Sequence, residues 1–73
     1  MPKLPRISGK DAIKAFKKIG WTVARQRGSH IIMTKSGSIY TLSIPNKSIL
    51  APGLMRGLIS KANLTVNEFI DLL

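Results

Sequence analysis

The sequence predicts one α+β domain in which helices cover one face of a three-stranded antiparallel sheet. Three observations predict it. Apolar residues recur at helical spacing near both ends of the chain, the middle of the chain changes to strand-like patterns rich in β-branched residues, and two short glycine-containing segments divide that middle part. A chain of 73 residues can form a single domain, 1–73, with a core of two layers.

The first helix follows an extended segment, Met1 to Ile7, that contains two prolines. Ser8 is typical of a helix N-cap, and Asp11 three residues later completes the pattern of a capping box. An apolar stripe then follows at helical spacing, while lysines occupy the outer face. Gly20 is typical of a helix end, so the helix is predicted at residues 9–19. The stripe consists of Ala12, Ile13, Phe16 and Ile19.

Three strands are predicted next, joined by short turns. Gly28 and Ser29 form a two-residue turn whose leading glycine suits a type II′ hairpin, and the segment from Lys35 to Ser38 forms the second turn. Pro45 ends the third strand. The strands are predicted at Trp21–Arg27, His30–Thr34 and Ile39–Ile44.

The alternation of side chains does not determine which face of this sheet is open. Strict alternation places Trp21 and Val23 on the same face as Arg25 and Arg27, so neither face is cleanly polar. A twisted hairpin resolves the conflict if its turn end projects beyond the helices. We therefore expect Trp21 and Val23 to pack inside and the turn end to be exposed.

The C-terminal part is predicted to be helical. A loop at Asn46–Gly53 precedes an apolar stripe from Leu54 to Ala62, and Asn63 ends that helix. Thr65 and Glu68 form a second capping box, which opens a short extra C-terminal helix. The resulting order, α-β-β-β-α, is that of double-stranded-RNA-binding domains. The short helix uses Phe69, Leu72 and Leu73.

The charge of the chain points to a polyanionic partner. Twelve Lys and Arg residues stand against three Asp and Glu residues, which gives a net charge of +9. Nucleic acid is the first interpretation, and an acidic protein or a membrane surface are the others. The chain has no cysteine, no apolar run long enough to span a membrane and no signal-peptide core. We therefore expect a cytoplasmic protein that does not bind a membrane and needs no disulfide.

The single histidine, His30, directly follows the predicted turn and faces Arg27 across it. Guanidinium groups beside an imidazole can hold a phosphate and disfavour the imidazolium form, which keeps a neutral base available. Such a base can take the proton of an RNA 2′-hydroxyl, which then attacks the adjacent phosphorus. One histidine and three scattered acids do not make a metal site, so no metal or other cofactor is predicted.

The pattern by itself leaves three functions open. A lone histidine at a hairpin is more often an ordinary polar strand residue than a catalyst. The chain can be a metal-independent ribonuclease, a non-catalytic RNA-binding module, or a domain that binds an acidic protein. Cleavage of RNA distinguishes the first from the second, and salt-sensitive RNA binding distinguishes both from the third.

Several segments resemble the HicA/YcfA-like toxins, and the resemblance covers nearly the whole chain in order. The segments are Ile7–Lys10 leading into a helix, Ile19–Trp21, Arg25–His30, the strand end Ile44–Pro45, Pro52–Arg56, and Leu64–Phe69 with Leu72 and Leu73. The element Gly28-Ser29-His30 is short, but its combination with the Pro-Gly-x-x-Arg helix start and the leucine-ending tail is specific.

The resemblance implies the toxin of a type II toxin-antitoxin system with a fold like that of the double-stranded-RNA-binding domain. It implies a metal-independent endoribonuclease that cuts messenger RNA with His30 as the general base, and an antitoxin of the HicB type that blocks the active face. Many members carry a second histidine where this chain has Lys47, which leaves two expectations: either Lys47 replaces that histidine as a phosphate-neutralising cation, or the activity is weaker than in those members. The predicted RNA-binding residues are Arg25, Arg27, Gly28, Ser29, Lys35 and Lys47, with His30 as the catalytic residue.

Overall fold

The computed structural model of the protein describes residues 4–73, so Met1 to Lys3 of the predicted lead-in lie outside the described part. The order of elements is α-β-β-β-α-α, which confirms the predicted fold class. None of the helices in the described part has the length and apolar character needed to cross a bilayer. The elements are α1 (Gly9–Lys17), β1 (Thr22–Arg27), β2 (His30–Thr34), β3 (Leu42–Pro45), α2 (Pro52–Lys61) and α3 (Val66–Ile70).

Helix α1 begins at Gly9, as predicted, but the structure shows only the Ser8 half of the predicted capping box, without a hydrogen bond from the Ser8 N–H to the Asp11 carboxylate. The backbone N–H of Asp11 donates to the Ser8 hydroxyl over 3.1 Å, which satisfies one of the free donors of the first turn. The helix ends at Lys17, two residues before the predicted end. The N–H groups of Lys18 and Ile19 donate to carbonyls three residues earlier instead of four, and Gly20 then takes a φ of 98°. The side chain of Lys18, just after the helix, reaches the C-terminal end of the chain, where its ammonium group donates to the carbonyl of Leu72.

The sheet is fully antiparallel, in the order β1-β2-β3. A two-residue turn joins β1 to β2, with Gly28 at a φ of 58° and Ser29 outside the positive-φ region. This pattern of φ angles fits the predicted type II′ turn, which requires a positive φ only at its first central residue. Arg27 and His30 are therefore direct partners across the hairpin.

A β-bulge at Ala24 decides which side chains share a face. Val23 pairs with Met33 and Arg25 pairs with Ile32, so Ala24 is an extra residue without a partner. The bulge interrupts strict alternation and moves Trp21 and Val23 to the face opposite Arg25. The conflict between apolar and basic residues in this strand is thereby resolved.

Strand β1 is the free edge of the sheet, and all its residues are exposed. Trp21, just before the strand, is buried as predicted, but Val23 is 44% exposed. The prediction that Val23 packs inside is therefore wrong. The reason is its position, because α1 and α2 both pack against β3, at the other edge of the sheet.

Strand β3 begins three residues later than predicted. The N–H of Tyr40 donates to the Ser38 hydroxyl over 3.1 Å, so it is used in a local turn instead of the sheet. The last pair of the ladder joins Met33 to Leu42. Ile39 and Tyr40 are consequently exposed in the connection between the strands.

The core lies between the helices and the face of the sheet that carries Met33, Leu42 and Ile44. Phe16 is at its centre, where its ring meets Trp21 edge to face at 6.5 Å and Phe69 at 5.2 Å. The opposite face of the sheet carries the basic residues of β1 and is the open one.

Helix α3 is held by a complete capping box. The Glu68 N–H donates to the Thr65 hydroxyl over 3.1 Å, and the Thr65 N–H donates to the Glu68 carboxylate over 2.9 Å. The predicted pair is confirmed. Since α3 has five residues, it depends on this cap and on the burial of Phe69.

Replacing Thr65 by alanine is expected to lower the free energy of unfolding by about 1 kcal/mol, because the cap loses its side-chain acceptor. Urea denaturation followed by circular dichroism measures the change. Ser48→Ala removes an exposed hydroxyl from the loop after β3 and serves as the control, with an expected change within about 0.5 kcal/mol. Equal effects of the two substitutions would show that the cap contributes nothing.

Candidate active site

The first hairpin presents the predicted catalytic residue together with two arginines. Arg27 and His30 are partners across the turn, and Arg25 is paired with Ile32 one step further along the same face. All of Arg25, Arg27 and His30 are exposed. The type II′ turn thus places an imidazole beside guanidinium groups on the open face of the sheet.

The end of β3 completes this site from the other side. Pro45 is the partner of His30 in the β2–β3 ladder, and the N–H of Asn46 donates to the carbonyl of Ser29 over 2.6 Å. The exposed residue Lys47 follows directly after Asn46. The sheet therefore brings the segment of Lys47 to the turn, although seventeen positions separate Lys47 from His30 in the sequence.

The N-terminus of α1 fixes the segment that carries Lys47. The N–H of Gly9 donates to the carbonyl of Lys47 over 2.8 Å. A Cβ atom on Gly9 would collide with the carbonyl oxygen of Pro45, so only glycine permits this approach of the helix. The position of Lys47 relative to the hairpin thus depends on α1 and β3 together.

A shallow groove of about 410 Å³ begins at His30 and runs between β3 and α2. Its sheet side is formed by the open-face residues of β3, and its other side by one face of α2. No carboxylate lines it. The lining residues are His30, Thr41, Ser43, Pro45, Gly53, Leu54, Gly57, Leu58 and Lys61.

The structure does not bring Lys35 to this cluster. Lys35 follows the end of β2 opposite to His30, and five residues of extended chain correspond to roughly 16 Å. It borders a different cavity, together with Trp21 and Tyr40. The other predicted site residues, Arg25, Arg27, Gly28, Ser29, His30 and Lys47, belong to the hairpin or to the segment bound to it.

The few acidic side chains lie away from the open face. Asp11 is in the first turn of α1, Glu68 is in the first turn of α3, and Asp71 is the C-cap residue of α3. Among residues 4–73, no three His, Cys, Asp or Glu side chains are grouped closely enough to hold a metal ion. The site consists of an imidazole, cationic side chains and backbone N–H groups, and this set of groups suits a phosphodiester.

Two residues of the site were not singled out by sequence reasoning. Ser43 lies on the open face beside Ile32, and Lys61 is at the far end of the groove. Helical spacing places Lys61 on the same face of α2 as Gly53 and Gly57. Only the packing of α2 beside β3 shows that this face borders the histidine.

The fold and the basic hairpin define a class of small α+β proteins that resemble double-stranded-RNA-binding domains. Comparison with known proteins identifies the family. A family model described as "HicA toxin of bacterial toxin-antitoxin" matches residues 9–64. The chain belongs to the HicA toxin family.

A solved structure is also similar to this chain. The structure described as "Toxin-Antitoxin complex from Streptococcus pneumoniae" contains a chain that is similar to this one, with 30% sequence identity and a TM-score of 0.72. The match covers 80% of this chain and 98% of that chain. Among curated proteins, none matches the chain.

Proposed function

We propose that this protein is the toxin of a type II toxin-antitoxin system and acts as an endoribonuclease on messenger RNA, with His30 as the general base. The observation that carries the proposal is the pairing of the exposed His30 with Arg27, at the start of a groove that no carboxylate lines. Membership of the HicA toxin family supports it. No step of the proposed reaction passes through a metal ion.

The proposed reaction uses the RNA's own 2′-hydroxyl as the nucleophile. A ring nitrogen of His30 takes the proton of this hydroxyl, and the oxygen attacks the adjacent phosphorus. The bond from phosphorus to the 5′-oxygen breaks, and that oxygen takes a proton from the imidazolium of His30, directly or through a water molecule, which restores the neutral base. The products are a 2′,3′-cyclic phosphate and a 5′-hydroxyl end.

The residues around His30 have separate roles in this proposal. Arg25 and Arg27 neutralise the phosphate and hold it beside the imidazole. Backbone N–H groups at Gly28 and Ser29 donate to a phosphate oxygen as negative charge develops there. Lys47 supplies a further cation from the segment after β3.

The Arg27 contact predicts a graded loss of activity. Arg27→Gln is expected to lower kcat/KM for RNA cleavage by about tenfold to hundredfold, because a charge-assisted hydrogen bond contributes about 1.5–3 kcal/mol. Arg27→Lys keeps the charge but loses the forked donor geometry. Its kcat/KM is expected to lie between that of Arg27→Gln and that of the unchanged protein. Arg6→Gln makes the same charge change beside α1, away from the open face. Equal losses in Arg27→Gln and Arg6→Gln would contradict a specific contact.

The partner of the toxin is proposed to be an acidic antitoxin of the HicB type. A surface with a net charge of +9 favours an acidic protein that covers the open face and excludes RNA. The similar chain from Streptococcus pneumoniae belongs to a structure described as a toxin-antitoxin complex, which supports this proposal. Titration of the antitoxin against RNA cleavage is expected to give inhibition that is complete at equimolar amounts.

A non-catalytic RNA-binding module is the second candidate. The fold favours it, because domains with this arrangement bind RNA by shape and phosphate contacts. Incubation of the purified protein with RNA in excess chelator distinguishes the two. Cleavage that leaves 2′,3′-cyclic phosphate and 5′-hydroxyl ends supports the ribonuclease. Retention of intact RNA would show that the binding module is the correct function.

A further inference from the structure

Lys61, at the far end of the groove at His30, also lines a second open cavity, of about 580 Å³, that contains Tyr40 and Lys35. The two cavities share this wall residue and are therefore neighbours. We name this pair of neighbouring cavities, which extends from His30 to Lys35, the β3–α2 groove.

The dimensions of the first part of this groove suit a polynucleotide strand. Along α2, the separation of eight positions between Gly53 and Lys61 corresponds to about 12 Å. On the sheet side, the separation of four positions between Pro45 and Thr41 corresponds to about 13 Å. The two walls have similar lengths, and each is as long as roughly three to four nucleotides stacked at 3.4 Å each.

The chemistry of the β3–α2 groove also suits RNA. Cations stand at its middle and its far end, namely Lys61 and Lys35, and no carboxylate lines either cavity. Hydroxyl groups of Thr41 and Ser43 line the sheet side. Tyr40 is 51% exposed and lines the far cavity, so its aromatic side chain is accessible to a ligand there.

We propose that the β3–α2 groove binds the single-stranded RNA next to the bond that is cut, with Lys61 contacting a phosphate and Tyr40 stacking on a base. The proposal rests on the function proposed above and extends it from the cleaved bond to the adjoining nucleotides. It gives Lys35 a role that its distance from His30 does not allow at the cleaved phosphate. A single strand fits because an exposed aromatic ring needs an unpaired base.

The test compares two charge changes on the same helix. Lys61→Gln and Arg56→Gln each remove one positive charge from an exposed position of α2, but Arg56 borders a different cavity, on the side of α3. The probe is a 2′-O-methyl hexanucleotide, which has no nucleophile and stays intact. A fluorescent label on the probe reports binding.

Lys61→Gln is expected to weaken binding of the hexanucleotide about tenfold and to reduce the salt slope of log K by about 0.7, the value for one phosphate contact on a single strand. A dinucleotide probe, which reaches only the His30 end, is expected to bind Lys61→Gln and the unchanged protein equally. Arg56→Gln is expected to change binding of either probe less than twofold.

Tyr40 is tested by two substitutions that differ in aromaticity. Tyr40→Leu is expected to weaken hexanucleotide binding about tenfold, whereas Tyr40→Phe keeps the stacking face and is expected to bind as the unchanged protein does. Circular dichroism confirms that each variant is folded. Because Tyr40 lies outside the strands, the substitutions leave the sheet ladder intact.

The outcomes separate this proposal from the function on which it rests. Equal losses in Lys61→Gln and Arg56→Gln would show an effect of net charge alone and would overturn it. Weaker antitoxin binding with unchanged RNA binding would show a protein-docking groove and would also overturn it. Failure of the unchanged protein to cleave RNA would refute the catalytic function, while the hexanucleotide measurement would still decide the groove.

Discussion

His30→Ala is expected to lower the rate of RNA cleavage by about 10²–10⁴-fold, the usual contribution of a positioned general base. The substitution removes the only imidazole in the chain. The side chain is exposed in a two-residue hairpin, so its loss leaves the core unchanged. Expression of the variant without antitoxin is expected to permit growth, whereas the unchanged toxin is expected to arrest it.

Two measurements separate loss of catalysis from loss of binding. The variant is expected to bind a 2′-O-methyl RNA with unchanged affinity, because the arginines of the hairpin remain. Its free energy of unfolding is expected to stay within about 0.5 kcal/mol of the original value, as for other exposed positions. Growth arrest and RNA cleavage by the His30→Ala variant at the original rate would refute the assignment of His30.

Gly9→Ala is expected to lower the free energy of unfolding by about 1–3 kcal/mol. The added methyl group would meet the carbonyl oxygen of Pro45, and backbone gives way less easily than a side chain. For a domain of this size, whose total stability is roughly 5–10 kcal/mol, this is a large fraction. Activity is expected to fall as well, because Pro45 is the sheet partner of His30.

Gly57→Ala is the matched control for this stability measurement. A Cβ atom on Gly57 meets nothing within 4 Å. Since Gly57 is inside α2, alanine there is expected to raise the free energy of unfolding by about 0.5–1 kcal/mol. Urea denaturation of both variants measures the difference. A Gly9→Ala variant as stable as the original chain would show that α1 can move away from β3 at no cost.

The bulge at Ala24 explains why the hairpin sequence was ambiguous. A strand with uninterrupted alternation would place Trp21 on the open face with Arg25, and a large aromatic side chain would lie in the predicted site. The bulge moves the residues before it to the opposite face of the sheet, so the Trp21 indole is buried and the arginines stay on the open face. A single extra residue in one strand thereby separates the core from the site.

The sequence by itself determined the elements whose signals are local. The capping residues Ser8 and Thr65 mark the starts of α1 and α3, and the Gly28-Ser29 turn sets the pairing of Arg27 with His30. In each case residues a few positions apart interact directly, so their spacing in the sequence is enough to predict the helix start or the strand pairing. The fold class follows because the order of these elements leaves few arrangements with one buried face.

Only the tertiary structure decided what depends on contacts between distant segments. It showed that the face with Arg25 is open, that Val23 is exposed at the free edge, and that Lys47 lies beside the turn while Lys35 does not. It also revealed the groove between β3 and α2. None of these has a local signal, because each results from the docking of a helix or strand whose position is set by the shared core.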